Sequence, residues 1–294
     1  MPLTRDWEQR IQRWIDTMPR LFYEPLESVP LNAHFTHGQY TVDKAEGFSF
    51  VPISPGTRWG SKWEYGWFKT DICLPEHVNG RRIVFRPGVG SECAVYVDGK
   101  ARGACDTWHS EITLTRDATV ATRYEILIEA YAGHGPTSVG GGPVPHNEIT
   151  VPEPADKQVT TTETTFGIWH EDIYQLWLDS MTLSELRSRL PQTSLRVQEI
   201  ERGLRAMTVA VDLELPRNDM CRTITQARRI LRPLLECTNG STAPTFYCFG
   251  HSHIDLEWLW PIEETHLKAE QSAATVCRLM DEYPHFTFLQ SQPQ

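Results

Sequence analysis

The sequence has no CxxC pair, no long uninterrupted apolar stretch and no excess of basic residues. Its seven cysteines, Cys73, Cys93, Cys105, Cys221, Cys237, Cys248 and Cys277, are odd in number and scattered. That argues against a disulfide framework and against a zinc ribbon, and predicts reduced, mostly buried thiols. The first residues, "MPLTRDWEQRIQRWIDTMPRLFYEP", interleave apolar positions with charges. They match neither a signal peptide nor a membrane span, so the cytoplasm is the expected compartment. Lys and Arg number 28 against 38 Asp and Glu, a formal net charge of −10. Nucleic acid and anionic membrane surfaces are therefore poor partners. Composition leaves self-association as a homo-oligomer open.

What is present is aromatic and turn-rich. Ten tryptophans and 20 prolines are spread through 294 residues, enough chain for one large or two medium domains. Trp7 to Met18 carries apolar residues at helical spacing, with Trp7, Ile11, Trp14 and Ile15 on one stripe and Pro19 as its stop. From about Thr57 the period falls to two. "YGWFKTDICLP", "RRIVFRPG", "CAVYVDGKARG", "SEITLT" and "RYEILIEAYAG" alternate between turn signals, as antiparallel strands of a sandwich do. The Asp98-Gly99 dipeptide marks a hairpin. A Gly-, Pro- and Thr-rich stretch without period follows, then a return to helical spacing that predicts a connector over Phe166 to Glu236.

The densest chemistry lies near the end, in "CFGHSHIDLEWLWP", residues 248 to 261. The run Thr245 to Phe249 is β-branched and aromatic, Gly250 breaks it, and Glu263 to Tyr283 reads as one helix. "FTFLQSQPQ" reads as a further strand, and strand–helix–strand opens a parallel α/β domain. Two strands and one helix cannot cover a parallel sheet. The segment is therefore expected to be the opening of a larger domain, with apolar faces exposed and open to proteases.

His253 and Asp255, one residue apart at a strand end, can both ligate one divalent ion. Imidazole with carboxylate suits zinc, with cobalt or manganese as substitutes. His251 is available as a third ligand, giving H-x-H-x-D. A metallo-β-lactamase type would need a histidine where Leu256 stands. A deacetylase or amidohydrolase barrel would instead use His251 and His253 as its pair. Against metal stands the plainer role of a histidine that hydrogen-bonds strand and helix termini. Trp258 and Trp260 follow at once, and a flat apolar ring beside an ion suits the face of a sugar; core packing is the expected role of Trp260, and less so of Trp258, which stands closer to the ligands.

Here the sequence becomes specific. "GHSHIDLEWLWP", the later "EET" and "RLMDEYPHFTFLQSQPQ" resemble the opening of the catalytic domain of glycoside hydrolase family 38 α-mannosidases, most of all the cytosolic and bacterial type. "WFKTDICLP", "VYVDGK" and "WHSEITL" resemble, more weakly, the β-sandwich that precedes the barrel in those enzymes. The resemblance implies an α+β multi-domain chain in four parts. Residues 1–28 form an N-terminal helical segment, and 29–160 an antiparallel β-sandwich of galactose-binding-like type. Residues 161–243 form a helical connector, and 244–294 the incomplete start of a (β/α)-barrel catalytic domain. It also implies zinc held by His253 and Asp255, with His251 as a neighbour rather than a ligand, and Trp258 stacked on the mannose. The nucleophile, the general acid and the remaining zinc ligands lie further along in the family. No catalytic carboxylate of that mechanism falls within these 294 residues, and the chain alone is expected to be inactive, as an N-terminal piece or a shortened gene product. Glu257 departs from the small residue usual in that type. The substrate implied is an α-mannoside oligosaccharide. The competing class is a non-catalytic carbohydrate-binding or assembly module built of the sandwich and helices.

Weaker signals stay in the background. "WGSKWEYGWFK" (Trp59, Trp63, Tyr65, Trp67) would make an aromatic sugar platform, yet alternation must turn some of these rings inward. "GVGSE" and "SVGGGP" are glycine loops with no Lys-Ser or Lys-Thr helix behind them, hence not phosphate cradles. Asn239 begins an "NGS" sequon that stays unused in the cytoplasm. Asp106, His109 and Glu111 read as a sandwich edge.

Overall fold

A computed structural model describes residues 3–135, 156–238, 240–256 and 260–290. In chain order the elements are α1 Arg5–Thr17, β1 Tyr23–Ser28, β2 Leu31–Thr36, α2 Val42–Ala45, β3 Val51–Ile53, β4 Arg58–Trp59 and β5 Tyr65–Cys73. Next come β6 Ile83–Arg86, β7 Cys93–Val97, β8 Lys100–Cys105, β9 Ile112–Thr115, β10 Arg123–Tyr131, β11 Val159–Thr160 and β12 Thr165–Trp169. The helices α3 Glu171–Arg189, α4 Leu195–Ala210 and α5 Arg217–Leu235 follow, then β13 Gly250–His251, α6 Ile262–Glu282 and β14 Phe288–Leu289. Contacts gather into two compact units, one of residues 1–24 and 169–246, the other of 25–168 and 247–294.

The first unit is helical. The apolar stripe of α1 buries Ile11 and Ile15, and the facing helices contribute Leu176, Leu183, Ile200, Leu204, Ile224 and Leu231. Gly203 lets α4 meet α5 closely, since a Cβ there would stand 2.3 Å from Leu234 Cδ1. Ser194 caps α4 by accepting from the Val197 N–H at 3.2 Å. Arg217 holds Asp172 with two hydrogen bonds of 3.0 and 2.5 Å and donates from Nε to His170 Nδ1 at 3.1 Å. His170 therefore carries its proton on Nε2 and donates it to Glu24 at 2.9 Å.

The second unit holds a sandwich of two antiparallel sheets, ordered β3-β2-β5-β10-β7-β8 and β1-β12-β6-β9. Between them lie Phe68, Ile72, Phe85, Val95, Ile112, Ile126, Ile128 and Phe166. Each strand expected from "YGWFKTDICLP" to "RYEILIEAYAG" forms. Asp98 and Gly99 turn β7 into β8 with φ of 51° and 73°, the left-handed pair that a two-residue hairpin requires. Within "GVGSE", Gly88 and Gly90 serve close backbone approach, since Cβ atoms there would stand 2.4 and 2.3 Å from the carbonyl oxygens of Thr162 and Thr160.

Several expectations are corrected. Phe166 to Trp169 is not helical; it belongs to β12, whose Phe166 and Ile168 fill the sandwich core. The strand expected over Thr245 to Phe249 does not form, and Phe246 and Tyr247 are 82% and 87% exposed. Only Gly250 and His251 pair, in parallel, with Phe288 and Leu289. The thiols are not mostly buried: Cys93 and Cys105 are, while Cys73, Cys237, Cys248 and Cys277 are exposed. Trp59, Tyr65 and Trp67, by contrast, are buried as alternation required, and form no surface platform. "SVGGGP", Asn239, Glu257 and Trp258 lie outside the described residues.

The helix α6 also departs from expectation, because its apolar side is covered. The outer face of the six-stranded sheet carries Tyr65, Trp67, Leu127 and Tyr131, and Leu267 and Trp260 pack on it. This explains why β5 and β10 are buried on both faces rather than polar on one. On β8, an edge strand, the outward N–H of Ala104 donates to Thr275 Oγ1 of α6 at 3.1 Å. At the far end Glu282 takes Arg82 at 3.1 Å and Arg116 at 3.4 Å.

Candidate metal centre

The short parallel ladder of β13 and β14 fixes the start of the site. Gly250 donates its N–H to Thr287 O at 2.7 Å, and it sits so close to Phe286 that a Cβ would stand 2.7 Å from the ring. Beyond His251 the chain leaves the ladder, so His253 and Asp255 are freed from strand alternation and point together. His253 Nε2 and Asp255 Oδ1 are 3.0 Å apart, with side chains 65% and 49% exposed.

The two side chains meet as a hydrogen-bonded pair. Two donors bound at about 2.0–2.2 Å in a tetrahedral shell stand about 3.3–3.6 Å apart, so a shift of a few tenths of an ångström would let both reach one divalent ion. The donor set, one imidazole nitrogen and one carboxylate oxygen, is the kind zinc accepts. Among the described residues no group of three or more His, Cys, Asp or Glu comes together to hold an ion. Among the described residues His251 therefore does not join His253 and Asp255 in a set of three, and these two stand as a pair of candidate ligands. Ser252 Oγ is buried beside them without a hydrogen-bond partner.

The far side of the loop is held by α6. Thr265 Oγ1 donates to the carbonyl of Leu256, the residue after Asp255, and accepts from Trp260 Nε1 at 3.2 Å. One residue before it, Glu264 is fully buried and accepts from the Tyr65 hydroxyl at 2.8 Å. Burial pushes the Glu264 carboxyl up to about 7, although the Tyr65 hydrogen bond and Lys268 pull the other way. Glu129 on β10 is likewise pushed up to about 8, by burial first and then by the charges of Glu264 and Glu270. Sequence reasoning missed both carboxyls, because glutamates in an amphipathic helix and on an alternating strand read as solvated positions.

Comparison with known proteins agrees with the motif. Residues 243–294 match the glycosyl hydrolases family 38 N-terminal domain, and residues 27–157 match the α-mannosidase jelly roll domain. Alpha-mannosidase 2C1 of Mus musculus is 24% identical over an alignment that takes in all of this chain and 28% of that protein. The alpha-mannosidase of Saccharomyces cerevisiae is 24% identical, over all of this chain and 30% of its own length. The chain thus spans under a third of these relatives. Among solved structures, β-glucuronidase from Ruminococcus gnavus overlays 51% of this chain and 30% of its own at a TM-score of 0.36 and 11% identity, too loose a likeness to weigh. Both matched segments and the alignments across this chain point one way: it is similar, in its jelly roll and in its last fifty residues, to the α-mannosidases of glycosyl hydrolase family 38.

Proposed function

We propose that this chain is the N-terminal portion of a zinc-dependent retaining α-mannosidase that removes terminal α-mannosides from oligosaccharides. The observation that carries the reading is the 3.0 Å pair of His253 and Asp255 inside the family 38 match. In this reading His253 presents its Nε2 lone pair and Asp255 its carboxylate to the ion, and His251 at most orients that pair. When bound, the ion supplies Lewis-acid charge that grips vicinal sugar hydroxyls. Trp258 offers a ring face to the sugar and excludes water from it. The resemblance puts the attacking and proton-donating carboxylates, the remaining ligands and the rest of a (β/α) barrel in chain that follows residue 294 in the family. The likeness of the motif to the cytosolic type supports a cytoplasmic location in this reading.

The test is metal content in the reading frame that carries the family's later ligands. His253→Ala and Asp255→Ala are each expected to lose zinc, measured by inductively coupled plasma spectrometry, while His251→Ala keeps most of it. An amidohydrolase site gives the opposite order, with zinc lost on changing His251 and kept on changing Asp255, and that result ends the mannosidase reading.

A further inference from the structure

Within the apolar contact between the six-stranded sheet and α6 lie a few polar groups, and these lead toward the candidate ligands. From β5, the buried Tyr65 hydroxyl donates to Glu264 Oε2 at 2.8 Å. The next residue, Thr265, spends its hydroxyl on the Leu256 carbonyl, and Leu256 adjoins Asp255. A turn further on, Lys268 reaches Glu92 Oε1 at 2.5 Å and lies 4.8 Å from the centre of the Trp260 ring. Helix α6 is therefore pinned to the sheet at its first turn, and the same turn pins the loop. A helical threonine ordinarily turns its hydroxyl back to the carbonyl one turn earlier. This one reaches nine residues back to hold the segment that β13 releases.

We propose that Glu264 and Thr265 are positioning residues, through which Tyr65 of the sandwich fixes the loop bearing His253 and Asp255. The inference rests on the metal reading only for what that loop holds. Its physical basis is that an exposed loop ligand keeps its geometry only when the groups behind it are locked, and that loss of such support commonly costs about tenfold or more in metal affinity. The sandwich is then a working part of the site rather than a neighbour of it.

Two readouts test this in the 294-residue chain. The first needs no metal: chymotryptic nicking between residues 256 and 261, relative to nicking at the freely exposed Phe246 and Tyr247. Thr265→Val and Tyr65→Phe are expected to raise that ratio several-fold. Thr265→Ser and Glu264→Gln, which keep the hydroxyl and the acceptor, are expected to leave it near the parent value. The second is titration with Zn2+, where the two loosened variants are expected to bind about tenfold more weakly and the conservative two as the parent does. An unchanged nicking ratio in both Thr265→Val and Tyr65→Phe overturns the proposal. So does equal loosening by Thr265→Ser, since a hydroxyl would then not be what holds the loop. If neither the parent nor any variant of this chain binds zinc while the nicking pattern holds, the positioning stands, and the metal reading is decided by the metal content of the longer frame.

Discussion

His253 Nε2 and Asp255 Oδ1 face each other across 3.0 Å at the surface of the second unit, each about half exposed or more. An exposed pair of this kind contributes little to stability, about 0–1 kcal/mol, so its placement is better explained by what it can bind. Two ligands hold zinc far less tightly than four. Residues 1–294 alone are therefore expected to show no turnover of p-nitrophenyl α-mannoside, with or without added zinc. Turnover that disappears in His253→Ala would refute this and mean that the site is completed in another way, for instance across a dimer.

The role proposed for Trp258 separates sugar from metal. It offers a ring face and no lone pair, so Trp258→Ala in the active enzyme is expected to retain zinc and lose rate or substrate affinity, by about tenfold. Steady-state kinetics beside metal analysis reads both. Loss of zinc in this variant would place the tryptophan in support of the ligands instead.

The buried carboxyls give a pH dependence with a definite sign. Burial lifts Glu264 to about 7 and Glu129 to about 8, above the ordinary carboxylate value of 4.5. The folded state thus binds more protons, and the stabilisation of the α6 docking is full below about pH 4.5 and falls as pH rises through 7 to 8. The groups facing them are Tyr65 from β5, Tyr131 from β10, Tyr96 from β7, Glu92 before β7, and Lys268 and Glu270 on α6. Amide exchange of α6, corrected for intrinsic rates, should therefore quicken between pH 6 and 8.5. The double variant Glu264→Gln and Glu129→Gln should flatten the trend, and a trend unaltered by it would assign the effect elsewhere. The pair is worth on the order of 3 kcal/mol across that window.

The helical unit has its own weak point. Burial would raise the Asp172 carboxyl, yet its hydrogen bonds to Arg217 and the guanidinium charge bring it below its ordinary value. Arg217→Ala strands Asp172 and removes the donor to His170 Nδ1. A loss of about 2–4 kcal/mol is expected in denaturant unfolding. Arg217→Lys should recover only part of it, because a single ammonium cannot reproduce the two-pronged grip.

Much of the sandwich could be read directly. Alternation in β5, β7 and β10 and the Asp98-Gly99 dipeptide depend on local rules, and the structure follows them. The His253–Asp255 pair was legible for a similar reason, because two ligand-type residues one apart at the end of a strand are brought together by local geometry. Other features depended on distant partners. "TFGIW" is too short an apolar run to tell strand from helix, and only pairing with β6 decides it. Phe246, Tyr247 and Phe249 read as a strand but find no neighbouring strand among the described residues. The burial of Glu264 is set by Tyr65, which is 199 positions away and invisible to any window.

The hydrogen bond from Ala104 to Thr275 has a practical consequence for dissecting this protein. The jelly roll match stops at residue 157 and the family 38 match begins at 243, which invites a cut between them. The last strand of the jelly roll's larger sheet is closed by a helix that belongs to the second match. A severed jelly roll would keep its inner core but bare β8 as an open strand edge, ready to pair with another copy. The two modules share one surface, and the border drawn between them on the sequence is not a border in the folded chain.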